Sequence, residues 1–158
     1  MRTFLTAALF VVSALTATFA ASAADPHDGA WTLVESKSNW SDGKFPKGMR
    51  LTINVQFSDN RIEYHSINTT RPATPYKVDY VTTLDGKPSP LNEQARFNQI
   101  AVSKTGANTY QILKMKDDDV IVGEFWTFSA DGKTLIRNGV GKSPEGKSKA
   151  YHEFFERK

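Results

Sequence analysis

The feature that most restricts the fold of this chain is a strict alternation of apolar and polar residues over short segments. Between Leu51 and Phe57 every second residue is apolar, and the intervening residues, such as Asn54, are polar. A period of two is typical of a β-strand with one buried and one solvated face. Similar segments recur along the chain, whereas no segment beyond residue 24 shows a convincing apolar stripe at helical spacing. Strands are therefore predicted at 31–35, 51–57, 61–68, 76–80, 97–102, 110–115, 120–128, 134–137 and 151–155.

Tight turns separate these segments. An acidic residue followed by glycine and lysine occurs at 42–44, 85–87, 131–133 and 145–147. Glycine in that position supplies the positive φ of short hairpin turns. Strands with their turns use up nearly all of the chain after residue 24. We therefore predict an all-β fold, a single antiparallel up-and-down β-barrel of about 8–10 strands, because closure removes the exposed edges of a large sheet. A two-sheet β-sandwich is the alternative.

The first 24 residues have a different character. Arg2 supplies a positive charge, residues 4–19 are apolar and uncharged, and small residues occupy 21–24 before Asp25. This is the pattern of a cleavable signal peptide and not of a membrane anchor, which needs about 20 apolar residues and a flank that stops transfer. We predict a signal peptide at 1–24 and one domain at 25–158. The mature protein is expected to be periplasmic or secreted in a bacterium, with no stable membrane anchor.

Composition excludes several classes of site. The chain has no cysteine, so disulfides, thiolate metal sites and cysteine nucleophiles are impossible. Its 20 basic and 17 acidic residues are nearly balanced and scattered, which argues against a nucleic-acid partner. We expect a monomer without a cofactor.

Three segments carry a resemblance to a known family. Gly29-Ala30-Trp31 resembles the Gly-x-Trp opening of lipocalins and related calycins. The segments 29–37 (GAWTLVESK), 128–135 (FSADGKTL) and 153–158 (EFFERK) resemble the opening, the penultimate hairpin and the closing strand of a group of exported bacterial lipocalin-like proteins. The resemblance implies a calycin-type barrel, and many relatives with that fold hold a small apolar molecule inside. The group itself is largely without an assigned function.

The resemblance also implies one structural contact, and the sequence departs from the lipocalin pattern in two respects. A basic residue from the end of the chain should pack over Trp31, and Arg157 or Arg137 is the candidate. The disulfide of many lipocalins is impossible here. Val78-Asp79-Tyr80 resembles the Thr-Asp-Tyr loop motif of lipocalins, but it lies inside a predicted strand.

Aromatic residues are the most suggestive candidates for a site. Fifteen of the eighteen lie beyond the predicted leader. If those of different strands share the inward phase, they would line an apolar ligand cavity, although they could equally fill the core. Glu124 lies on the same face of its predicted strand as Trp126 and Phe128. It is either a buried polar group of the site or an indication that this face does not point inward. The predicted ligand-binding residues are Phe57, Tyr64, Tyr80, Phe97, Tyr110, Trp126 and Phe128.

No catalytic or metal-binding motif is found in the sequence, and no catalytic or metal-ligating residue is assigned. His27, His65 and His152 do not cluster, so each is interpreted as an ordinary surface or edge histidine, with His27 near a loose N-terminus. An enzyme would need a cleft in which His65, Asp79 or Glu63 converge.

The connection at 40–49 is the first long loop. Trp40 and Phe45 would give it an apolar underside suited to a lid, with Lys44, Lys47 and Arg50 nearby, or it is a solvated loop.

Together these observations predict an exported protein that binds a hydrophobic or amphipathic small molecule inside a β-barrel. The alternatives are a barrel-mouth enzyme, such as a hydrolase or isomerase, and a structural or stress-related envelope protein with a filled barrel.

Overall fold

The computed structural model describes residues 24–92 and 96–158. The first 23 residues of the predicted leader lie outside this part, so the leader and the boundary at residue 24 stay predictions. A short 3₁₀ turn at Glu35–Lys37 follows the first strand. Within the described ranges, no helix has the length and apolar character needed to cross a bilayer. The strands are β1 (Gly29–Leu33), β2 (Asn39–Trp40), β3 (Leu51–Ser58), β4 (Arg61–Asn68), β5 (Tyr76–Thr83), β6 (Ser89–Pro90), β7 (Gln99–Gly106), β8 (Thr109–Lys116), β9 (Asp119–Phe128), β10 (Thr134–Lys142) and β11 (Ser148–Arg157).

The strands form one antiparallel sheet that curls into a nearly closed barrel. Its order is β5-β4-β3-β1-β11-β10-β9-β8-β7-β6, and β2 pairs with β11 beside this path. The two ends of the sheet meet where Asp85 pairs with Ser103 and where the Gly86 N–H donates to the Val102 carbonyl over 2.9 Å. The predicted up-and-down barrel is confirmed, and the two-sheet sandwich is wrong.

Alternation determines which residues fill the interior. Val55 of β3 lies opposite Tyr64 of β4, and Tyr64 lies opposite Tyr80 of β5. All three side chains are buried, while the residues between them on β3 to β5 face outward. A slip of one residue in any of these pairings would expose the whole apolar set, so the burial of these positions holds the register.

One end of the barrel is closed by the contact that the resemblance implied. Trp31 is fully buried, and the Arg157 guanidinium lies over its ring at 5.3 Å from the centroid. The same guanidinium donates to the carbonyls of Pro26, at 3.0 Å, and Gly132, at 3.2 Å, and also to that of Asp28. Arg157 therefore closes this end.

Gly29 makes room for that contact. Its φ is +126°, and a Cβ added there would lie 3.3 Å from Arg157 Nε. A side chain at this position would thus be strained and would also press on the guanidinium. The glycine and the tryptophan of the Gly-x-Trp opening consequently serve the same contact with Arg157.

His27 corrects an expectation about the N-terminus. Its side chain is buried, stacked on Phe128 at 4.3 Å between ring centroids, and its Nε2 lies 3.2 Å from Asn108 Oδ1. The residues before β1 are accordingly a plug in the closed end and not a loose tail. Proximity to the predicted new N-terminus indicates a loose segment, and the sequence does not reveal the burial of His27 because the aromatic pocket that receives its ring is assembled from distant strands.

We predict that Arg157→Ala destabilises the protein by about 1–2 kcal/mol, since it removes a cation–π contact and three hydrogen bonds at the barrel end. Urea unfolding at neutral pH, followed by tryptophan fluorescence, measures the change. Lys133→Ala is the matched control, because Lys133 is exposed and its ammonium lies 3.9 Å from Asp131. Equal stability of the two variants would contradict a closing role for Arg157.

Candidate functional site

The end of the barrel opposite Trp31 encloses a cavity of about 670 Å³. This volume lies within the range of about 300–1,000 Å³ that is usual for small-molecule sites. The mouth is bordered by the loop after β2 and by the turn between β10 and β11, both of which contribute side chains to the lining. The cavity is therefore large enough for one small molecule and open to solvent on one side.

Strands β3 to β5 supply the apolar wall of the cavity. Leu51, Tyr64 and Val78 line it from these strands, and Met49 joins them from the loop before β3. Each of these four side chains is less than 10% exposed. This wall can receive the apolar part of a ligand, whose transfer from water is favourable by about 25 cal/mol for each Å² buried.

Strands β8 to β11 supply a wall of buried charges. Lys114 Nζ lies 2.6 Å from Glu124 Oε1, and Trp126 Nε1 donates to Glu124 Oε2 over 2.9 Å. Burial alone would raise the pKa of Glu124, but Lys114 and Arg137 lower it to about 2. Glu124 is therefore a carboxylate at neutral pH, and the inward phase of its strand is right.

A second ion pair lies on the same wall. Arg137 Nε donates to Glu153 Oε2 over 2.8 Å, and its Nη2 donates to the same oxygen. The other carboxylate oxygen accepts a hydrogen bond of 3.5 Å from Trp40 Nε1. Arg137 also stacks over Phe155 at 5.2 Å. Although burial opposes the charge of Arg137, Glu153 and Glu124 raise its pKa well above the usual value, so the guanidinium stays charged.

Tyr151 links the charged wall to a glycine. Burial, followed by the charge of Glu124, raises the pKa of Tyr151, so the hydroxyl stays protonated and hydrogen bonds to Glu124. A Cβ at Gly139, its partner on β10, would lie 2.4 Å from the end of this ring. Gly139 thus leaves the space against β10 that the ring of Tyr151 occupies.

The seven predicted binding residues lie at different positions along the barrel axis. All are turned inward, but of the seven only Tyr64 and Phe97 are among the lining residues of the cavity. Tyr80 stacks on Tyr64 at 4.6 Å, and Trp126 lies 5.6 Å from the same ring. They form a layer behind the lining. Their role in binding a ligand stays a prediction.

The other three predicted residues belong to the closed end. Phe57 stacks on Tyr110 at 4.8 Å, and Phe128 packs edge-on against both rings. Together with His27 and Trp31 they fill this half of the barrel. These aromatic residues act as core, which was the alternative interpretation of the aromatic pattern.

The loop after β2 lies at the mouth and contributes Asp42, Lys44 and Met49 to the cavity lining, and its action as a lid stays a prediction. Trp40 packs edge-on against Phe45 at 5.4 Å, and the Lys149 ammonium lies 3.3 Å from the centroid of the Trp40 ring. Lys44 lines the cavity. Lys47 and Arg50, the other two basic residues near this loop, are not among the lining residues. Trp40 consequently contacts both the loop after β2, through Phe45, and strand β11, through Lys149.

Sequence reasoning missed the two ion pairs of the charged wall. Glu124 was recognised as an inward polar residue, but Lys114, Arg137 and Glu153 were not associated with it. The available signal is that Lys114 and Arg137 follow apolar residues in the inward phase of their strands, and that Glu153 lies between Tyr151 and Phe155 in the inward phase of β11. A charged residue at such a position has to be paired or to face a cavity, and here both conditions hold.

His65 lies on the outside of the barrel. Its Nδ1 is 2.8 Å from Asp79 Oδ1 and its Nε2 is 2.8 Å from Glu63 Oε1, with all three side chains about half exposed. The trio that an enzyme would need thus converges, but on an open sheet face and outside the cavity. In the described part of the chain, no group of three or more His, Asp or Glu side chains is arranged to hold a metal ion.

Comparisons with known proteins identify the fold. No family model matches the sequence, and no curated protein shows significant sequence similarity to it. The structure is similar to zebrafish ileal bile acid-binding protein complexed with cholic acid, with a TM-score of 0.55, 11% identity and coverage of 84% of this chain and 99% of the other. It is equally similar to the Schistosoma mansoni fatty acid binding protein in complex with arachidonic acid, with a TM-score of 0.55, 11% identity and coverage of 84% and 96%. As-p18, an extracellular fatty acid binding protein, gives a TM-score of 0.52 at 15% identity and coverage of 85% and 97%. At these identities the likeness shows the fold: a β-barrel of the kind found in fatty acid binding proteins.

We predict that Glu124→Leu destabilises the protein by roughly 3 kcal/mol, because it leaves Lys114 inside the barrel without its carboxylate. The double variant Lys114→Met/Glu124→Leu should recover most of that loss, since both charges are removed together. With the single variant Lys114→Met added, a double-mutant cycle from urea unfolding measures the coupling between the two residues. Additive effects of the two single variants would contradict a buried, mutually dependent pair.

We predict opposite pH dependences for His27 and His65. Burial lowers the pKa of His27, so its stabilising contribution is present above the unfolded pKa and is lost as the pH falls. Hydrogen bonds to Glu63 and Asp79 raise the pKa of His65, so its contribution is present at low pH and is lost as the pH rises.

The test compares the Tm of the wild-type protein with those of His27→Gln and His65→Gln between about pH 7.5 and about pH 5.5. On acidification, the advantage of the wild type over His27→Gln should shrink, and its advantage over His65→Gln should grow. Differences in Tm that do not change with pH would contradict the assignment.

Proposed function

We propose that this protein binds one small hydrophobic or amphipathic molecule non-covalently inside its barrel. The observation that carries the proposal is the cavity of about 670 Å³ at the open end, with an apolar wall on β3 to β5 and fixed polar groups opposite. This combination of an apolar lining and a few convergent polar groups is typical of small-molecule sites.

The polar groups of the cavity support a preformed site. Glu124 and Glu153 are already engaged by Lys114 and Arg137, with further hydrogen bonds from the indoles of Trp126 and Trp40. Since these interactions exist before any ligand arrives, their side chains lose little further entropy on binding. The apolar wall then supplies the main driving force.

The comparisons support the class of ligand. Two of the structural neighbours are complexes with cholic acid and arachidonic acid, and the third is described as a fatty acid binding protein. These molecules are amphipathic and largely apolar, which fits a cavity with one apolar and one polar wall. Which particular molecule this chain binds depends on its own lining residues.

The proposal includes export, with function in a bacterial periplasm or outside the cell as a monomer. The support is the leader-like composition of residues 1–24 and the resemblance of segments 29–37, 128–135 and 153–158 to exported lipocalin-like proteins. The filled-barrel alternative fits the closed half around Trp31 and Phe128, but not the open half. The enzyme alternative lacks support from the His65 trio, because these side chains lie outside the cavity.

Isothermal titration calorimetry with 1-decanol and with decanoate tests the proposal. We expect one molecule to bind per protein chain. The variant Val78→Trp, which fills the apolar wall, should weaken binding at least about tenfold by removing the space for the chain. Val81→Trp is the matched control, since Val81 lies on the same strand but is about half exposed on the outer face.

Circular dichroism and thermal unfolding of both variants establish that the barrel is intact. Equal loss of affinity in Val78→Trp and Val81→Trp would show that the ligand does not occupy the cavity. If the wild-type protein binds neither 1-decanol nor decanoate, the proposed function is overturned.

A further inference from the structure

The charges around the cavity are not balanced. Among the described lining residues, six are basic and three are acidic. The six basic residues are Lys44, Arg96, Lys114, Arg137, Lys147 and Lys149. Since the whole chain carries a formal charge of only +3, the excess of three positive charges on one lining is a local feature of this surface.

The deep part of the cavity does not contribute to this excess. Lys114 is paired with Glu124, and Arg137 is paired with Glu153. An acidic group placed deep in the cavity would lose its hydration and would also lie near the two carboxylates. Among the described residues, the interior therefore offers no uncompensated cation to an anionic ligand.

The excess lies at the mouth. Asp42 Oδ2 lies 3.7 Å from Lys149 Nζ, which compensates that lysine. Lys44 and Lys147 have no carboxylate partner within ion-pair distance among the described residues, and neither does Arg96, which donates to the Lys142 carbonyl over 2.6 Å. Three cationic side chains from three different segments thus face the same opening.

The acidic residue nearest in sequence to Lys147 does not cancel its charge. Glu145 is fully exposed, hydrogen bonds to Ser143, and is not a lining residue of the cavity. In the same region, Asp119 is 3.5 Å from Lys142 on the outer side. The positive potential is consequently directed at the opening, where low-dielectric walls concentrate it.

We propose that the ligand is an amphipathic anion, such as one with a single carboxylate, that binds with its acidic group at the mouth and its apolar body inside. This inference rests on the proposed function and adds the charge class and the orientation of the ligand. The acidic group lies beside Lys44, Arg96 and Lys147, where it keeps part of its hydration. The apolar body lies against Leu51 and Val78.

The first test compares amphiphiles that share one ten-carbon chain. Decanoate should bind the wild-type protein more tightly than decyltrimethylammonium, and the difference should shrink with added salt. The variant Lys44→Gln/Lys147→Gln should weaken decanoate binding about five- to tenfold more than it weakens 1-decanol binding. The matched control is Lys87→Gln/Lys133→Gln, which removes the same net charge from exposed turns away from the mouth.

The outcomes separate the two proposals. If 1-decanol and decanoate both fail to bind, the proposed function fails. If both bind but neither the charge of the probe nor the mouth variant changes the affinity, the proposed function stands and the inference about an anionic ligand is wrong. An equal effect of the control variant would also overturn it, because the effect would then come from net charge.

The second test determines the orientation. In the variant Trp40→Phe the remaining tryptophans, Trp31 and Trp126, are both buried below the mouth. Bromine quenches indole fluorescence at short range, so 10-bromodecanoate should quench this variant strongly and 2-bromodecanoate weakly. Stronger quenching by 2-bromodecanoate would place the acidic group deep in the barrel and would contradict the proposed orientation.

Discussion

Closure of the sheet into a barrel imposes the constraint on which the rest of the structure depends. In the long strands of the sheet every second residue points into one interior, and each of these side chains has to be packed, paired or exposed to a cavity. The closed half satisfies this constraint with aromatic rings packed around Trp31. The open half satisfies it with two ion pairs, Lys114–Glu124 and Arg137–Glu153, and these charged groups line a cavity because they do not collapse into an apolar core.

The fold could largely be predicted from the sequence because alternation and turn chemistry are both local. The four glycines of the acidic-Gly-Lys turns, at 43, 86, 132 and 146, all have positive φ. Two features were not accessible in this way. The second half of β10 contains Gly139 and Gly141, which favour turns in isolation but lie here against Tyr151. The short β6 contains Pro90, which is tolerated because this strand lies at the end of the sheet.

The candidate site could be predicted only in part, because a period of two indicates the face of a strand and not the height along the barrel. All seven predicted aromatic residues are turned inward, yet Phe57 and Phe128 lie at the closed end and Tyr64 lines the cavity. Their heights depend on the register between neighbouring strands, which the turn positions set. The burial of His27 was inaccessible for the same reason, since its partner Asn108 is 81 positions away.

The measurement that tests the central claim most directly is anomalous X-ray diffraction from crystals grown with 10-bromodecan-1-ol. This probe is neutral, so the result does not depend on the charge of the mouth. The account predicts one bromine peak inside the open half of the barrel, between Val78 on the apolar wall and Glu124 on the charged wall. A bromine peak on the outer surface alone, or no peak at a saturating concentration, would contradict the claim that the cavity is a binding site.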